Sequence, residues 1–176
     1  MSAKFGAPII FALLILASCN RDVKSPATTP IEEIPGDLVI ILERGVCYGT
    51  CPAYKVTITA DGSVEFEGRY YVKKKGIIRT TISREQLKLL VAEIERAKYF
   101  TLQDRYVDKE DGCVTVLTDH PLINISITIR GKTKSIAHYH GCDGPRVLEQ
   151  LTALEDKIDE VINASQWFDV NNERFY

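Results

Sequence analysis

A strict two-residue alternation runs through Ile123-Asn124-Ile125-Ser126-Ile127-Thr128-Ile129. Successive side chains of a strand point to opposite faces, so this stretch reads as a strand with isoleucines on one side and polar residues on the other. No helix can sort that pattern. The same period recurs upstream, where Tyr54, Val56, Ile58 and Ala60 alternate with Lys55, Thr57 and Thr59. A chain built on such segments is committed to a sheet with one buried face.

The turns set the pairing. After Thr59 comes Ala60-Asp61-Gly62, and residues 63–68 form a return strand with Val64 and Phe66 on its apolar side. A two-residue Asp-Gly loop would set Ile58 opposite Glu65 and mix the faces. A three-residue loop sets Ile58 opposite Val64 and Val56 opposite Phe66, so that hairpin is expected, with Gly62 left-handed. Downstream, a two-residue Gly131-Lys132 turn would set Ile127 opposite Ile136, Ile125 opposite His138 and Ile123 opposite His140. Residues 70–72 and 77–82 suggest a further hairpin around Lys73-Lys74-Lys75, which reads as a solvated turn. The run Leu38-Val39-Ile40-Ile41-Leu42 is continuous enough for a buried strand.

Two helices follow the strand runs. Ser83 with Gln86 three residues on forms a capping box, and Leu87, Leu90, Val91, Ile94 and Ala97 share one face. Asp143-Gly144-Pro145 opens the second helix, which carries Leu148, Leu151, Leu154, Ile158, Val161 and Ile162. Strands, hairpin, then helix thus occur twice. The expectation is an α+β domain, an antiparallel sheet of hairpins with two helices on one face, in an order that suggests a pseudo-duplication.

The N-terminus gives an address. Lys4 precedes an apolar run from Pro8 to Leu16, and Leu16-Ala17-Ser18-Cys19 ends it. The run is too short for a membrane span, which needs about 20 residues, and Asn20, Arg21 and Asp22 break it at once. This layout is that of a secretory signal peptide, and it resembles the lipobox of bacterial lipoproteins. That resemblance implies cleavage after Ser18 and a lipid on Cys19, and so a membrane partner through the N-terminal lipid. Residues 1–18 are then the signal peptide and 19–37 a tether, with Pro26, Pro30 and Pro35 spaced through it. Residues 38–168 are the domain and 169–176 a tail. Asn20 directly after the lipidated cysteine points, in a two-membrane host, to the outer membrane. The mature chain has 158 residues and a formal charge of −3, since only Lys4 is lost from a total of −2. That mild acidity argues against nucleic acid as a partner.

Four further cysteines remain: Cys47, Cys51, Cys113 and Cys142. In an exported chain they suggest disulfides. Three connectivities exist, and spacing alone does not choose among them. Turns at both ends of the isoleucine hairpin lead us to expect Cys113 with Cys142, and Cys47 with Cys51. The Cys47-x-x-x-Cys51-Pro52 stretch is similar to the motif of thioredoxin-like copper chaperones. There a helix follows the cysteines and lowers a thiol pKa, whereas here a strand follows. His138-x-His140-x-Cys142 offers two imidazoles and a sulfur on one strand face, a candidate zinc or copper set. A buried or edge pair of histidines is the plainer expectation, so no metal or cofactor is assigned. Asp119 and His120 read as a turn before the isoleucine strand, with no nucleophile to serve.

Arg44, Cys47-Tyr48-Gly49-Thr50-Cys51-Pro52-Ala53-Tyr54, Asp61-Gly62 with Gly68, Thr118-Asp119 with Pro121, and the late helix leading to Trp167 form a recurring set. In these the chain resembles a family of bacterial envelope and lipoprotein domains of unknown function. The likeness spans residues 38–167 and carries no assigned activity. The function expected is therefore that of a lipid-anchored envelope protein, a binding or structural accessory and not an enzyme, with an envelope protein or ligand as partner. The rivals are a metal- or thiol-redox protein using Cys47, Cys51, His138 and His140, and an inhibitor or sensor domain docking through its sheet.

Overall fold

In the computed structural model the described residues are Met1 and 33–168. Residues 33–168 form an α+β domain around a mostly antiparallel seven-stranded sheet. The long strands are β1 (Val39–Arg44), β2 (Ala53–Thr59), β3 (Ser63–Tyr70), β4 (Gly76–Thr81), β7 (Leu122–Ile129) and β8 (Lys132–Tyr139). Shorter pieces are β5 (Arg105–Tyr106), β6 (Thr115–Val116) and β9 (Cys142–Asp143). The sheet order is β4-β3-β2-β1-β7-β8-β5, with β6 and β9 forming a separate two-stranded ribbon. The expected all-hairpin sheet needs one correction: β5 pairs with β8 in parallel, Tyr106 opposite His138. Two residues reached after the first helix and a short 3-10 turn have no hairpin partner, so they add to the edge in the direction the chain arrives.

The Asp61-Gly62 hairpin has the expected register, with Ile58 opposite Val64, Val56 opposite Phe66, and Gly62 at φ +85°. The isoleucine hairpin differs. Its two turn residues are Arg130 (φ +51°) and Gly131 (φ +72°), a type I′ pair. Asp37 accepts hydrogen bonds from both of their backbone N–H groups. The register therefore slides by two residues from the expected one: Ile125 faces Ile136 and Ile123 faces His138. A two-residue slide keeps the faces intact, so the histidines still share the isoleucine side.

That side is the core. Ile40, Leu42, Tyr54, Val56, Ile58, Val64, Phe66, Ile123, Ile125, Ile127, Ile136 and His138 are all nearly inaccessible. Val39 and Ile41, on the other face of β1, stay half-exposed, so this strand is buried on one face and not on both. Helix α1 (Arg84–Arg96) begins at the expected box, Ser83 and Gln86 each bonding the other's backbone N–H. Its Leu87, Leu90, Val91 and Ile94 join the same core as Leu148, Leu151, Leu154 and Ile158 of α2 (Val147–Val161). Helix α2 starts later than expected, because Asp143 belongs to β9 and Arg146 takes the cap position. Ile34, placed in the tether by its sequence, also packs into the core.

Gly68 permits one close approach. A Cβ there would collide with the Lys74 carbonyl oxygen, so only glycine lets the 71–75 loop fold back over β3. The lysine run is that loop, pinned by a hydrogen bond from the Lys73 N–H to the Trp167 carbonyl. Trp167 in turn packs on Phe66 at 4.4 Å between ring centroids.

Candidate functional site

At one end of the buried sheet face the apolar rows give way to polar side chains. Arg44 sits opposite Tyr54 on β2 and opposite Ile123 on β7, and Ile123 sits opposite His138. These register pairs put Tyr54, Arg44 and His138 into one row across the sheet. Helix α2 meets that row with carboxylates. Glu155 and Asp159 are four residues apart, on the stripe otherwise filled by Leu148, Leu151, Leu154, Ile158 and Val161.

The hydrogen bonds of this layer join carboxylates of α2 to donors on the sheet side. Arg44 donates from Nε to Asp159 at 2.8 Å and from its terminal nitrogen to Asp156 at 3.2 Å. Tyr54 donates its hydroxyl to the other Asp159 oxygen at 2.7 Å. Glu155, with no exposed surface, lies between two imidazoles: His138 Nδ1 is 2.9 Å from one oxygen and His140 Nε2 is 2.7 Å from the other. Asp156, with 39% of its side chain exposed, is the member that reaches solvent.

The electrostatics follow from burial against partners. Burial, the largest influence on Glu155, favours its neutral form, but the hydrogen bonds from His138 and His140 outweigh it and hold the carboxyl at about 2. Burial also works against the Arg44 guanidinium, yet Asp159, Glu155 and Asp156 keep it firmly charged. The Tyr54 phenol is pushed well above its usual range, first by burial and then by the Asp159 charge beside it. For Asp156, burial raises the carboxyl despite Arg44.

The structure brings together only part of the expected histidine–cysteine set. His138 and His140 converge, but Cys142 is bonded to Cys113 and is not available as a ligand. The third convergent donor is Glu155, one carboxylate oxygen of which lies with the two histidine ring nitrogens within 4.8 Å of one another. Its signal in the sequence was an acidic residue one helical turn after Leu151, inside an apolar stripe. Cys47 is bonded to Cys51, and β2 begins two residues later, so the bridge leads into a strand and not a helix. Asp119 stands at φ +73°, its carbonyl accepting from the Tyr48 N–H and its carboxylate from the Thr118 hydroxyl. It does not meet His120 as an acid–base pair: the His120 ring lies edge-on to Tyr139, with its Nδ1 buried and without a partner. Cys19 lies outside the described residues.

Fold and site together define a disulfide-clamped α+β domain whose sheet and second helix are joined by a buried ionic layer. The chain belongs to the family described as Domain of unknown function (DUF6438), whose model matches residues 38–162, well over half of its length. Arg44, Tyr54, His138, His140, Glu155, Asp156 and Asp159 all lie inside that match, while Trp167 lies beyond it. No curated protein matches the chain.

Proposed function

We propose that this chain is a lipid-anchored accessory protein of a bacterial envelope, tethered through Cys19, whose domain binds an envelope protein or ligand without catalysing a reaction. The observation that carries this reading is the use of the cysteines. Of five in the chain, four close two bridges inside the domain, as suits an oxidising compartment. The fifth, Cys19, stands at the end of the lipobox-like stretch. Asn20 beside it favours the outer membrane in a two-membrane host. The polar groups of the buried layer are spent on one another, which suits a structural or binding role better than a reacting centre. The same reading takes the two strand–hairpin–helix runs as a pseudo-duplication meeting where β1 pairs with β7.

The rival reading divides. Its redox half loses support because a strand follows Cys51, leaving no helix terminus to activate a thiolate. Its metal half gains Glu155. Fractionating cells that express the wild type and Cys19→Ser tests the main proposal. The wild type should sediment with the membrane, carry labelled fatty acid and be lost from that fraction in the variant. Equal membrane association of both chains, without label, contradicts it.

A further inference from the structure

We infer that His138, His140 and Glu155 form a binding site for a divalent transition-metal ion, with zinc the best fit. This inference does not depend on the lipid anchor. Two imidazoles two residues apart and one carboxylate from a facing helix make a three-donor set that leaves a coordination position open. All three donors are nearly inaccessible, the side chains being 3%, 7% and 0% exposed, so their positions are fixed by packing.

The geometry is close to what an ion needs. His138 Nδ1 and His140 Nε2 both aim at Glu155, at 2.9 and 2.7 Å. An ion held at about 2.1 Å by tetrahedral donors wants them roughly 3.4 Å apart. The two histidine–carboxylate contacts therefore open by about 0.5–0.7 Å, and the rest of the set, which spans up to 4.8 Å, draws in around the ion. Each imidazole then presents a lone pair where it now presents an N–H, its proton moving to the other ring nitrogen or to solvent.

Charge argues in the same direction. Among the described residues, three carboxylates of this layer (Glu155, Asp156 and Asp159) share it with one guanidinium, Arg44, an excess of two carboxylates. One divalent ion cancels that excess. Asp156, half in solvent beside Arg44, marks the side from which an ion enters. Asp159 and Asp156 take the Arg44 hydrogen bonds, so the guanidinium is engaged away from the Glu155 oxygens. Oxygen-seeking ions such as calcium are disfavoured, because two of the three donors are nitrogen.

The test uses the full chain in detergent, with its disulfides intact, stripped by a chelator and then titrated with Zn²⁺, and separately with Co²⁺ as a spectroscopic probe. One zinc per chain should bind, and cobalt should give the visible absorption of a low-coordinate nitrogen and oxygen site. His140→Ala, at the more accessible donor, should weaken zinc by at least about 100-fold while the fold persists. Glu155→Gln should do the same. His120→Ala, outside the set, should leave the affinity unchanged. Zinc that fails to bind the wild type, or that binds His140→Ala as tightly, overturns the site and leaves the histidines as hydrogen-bond donors to a buried carboxylate. Loss of binding in His120→Ala with none in His140→Ala overturns it equally.

Discussion

Replacing Arg44 with Met removes the one cation paired with Asp159 among the described residues while keeping most of the side chain's volume. Asp159 is nearly buried, and its Oδ2 accepts from Arg44 at 2.8 Å while its Oδ1 accepts from Tyr54 at 2.7 Å. After the change it keeps one neutral hydrogen bond and no counter-charge. Breaking a buried pair from one side costs about 3–5 kcal/mol, because the remaining charge cannot recover its hydration. Against a total stability of roughly 5–15 kcal/mol this is a large share, and it should lower Tm by roughly 10 °C. Urea unfolding at neutral pH with intact disulfides measures it, with the slope unchanged if only stability moves. The double variant Arg44→Met/Asp159→Asn retains a group for the Tyr54 hydroxyl and leaves only the solvent-reaching Asp156 carboxylate without its cation, so it should recover most of the loss. A cost for Arg44→Met below about 1 kcal/mol, the range of exposed ion pairs, would show that Asp159 is not left as a stranded buried charge. So would additive costs in the double variant, since coupled neighbours do not add.

Three further outcomes follow from the same contacts. The folded Tyr54 phenol ionises well above the unfolded one, so its contribution is complete below about pH 10 and is lost as pH rises past that value. Stability measured from neutral to strongly alkaline pH should fall more steeply in the wild type than in Tyr54→Phe, and equal slopes would contradict this. Removing the Cys113–Cys142 bridge, which closes a separation of 29 residues, should cost about 3.6 kcal/mol, and removing Cys47–Cys51, with a separation of 4, about 2 kcal/mol. Paired Cys→Ser variants compared by denaturant titration would expose a reversed order. Gly68→Ala forces the 71–75 loop off β3 and should cost 1–3 kcal/mol, roughly as other overpacked sites do, together with loss of protection at the Lys73 amide. An unchanged midpoint would show that the loop moves freely.

Much of the strand core was legible because period-two patterning and the Asp61-Gly62 phase both constrain register. Ile58 against Val64 needed no more than that. The second hairpin was displaced because its turn uses a left-handed Arg130 before Gly131, and an arginine at positive φ leaves no sequence signature. Asp37, nearly a hundred residues earlier, fixes that turn through two backbone amides, a contact that local reading cannot see. The ionic layer was hidden for a related reason. Glu155 and Asp159 look like ordinary solvated helix charges until the sheet row beneath them is known to carry His138, Arg44 and Tyr54. The short parallel β5 lacks the length for any pattern at all.

Lipid anchoring at Cys19 and oxidation of the domain, both proposed above, are read together in the intact mass of the protein extracted from its native membrane without reductant. The chain should begin at Cys19, be heavier by a diacylglyceryl group, and be lighter than the reduced chain by the four hydrogens of its two bridges. A chain that begins elsewhere without acyl mass, or one that takes up thiol reagent at Cys47, Cys51, Cys113 or Cys142 before reduction, would contradict this.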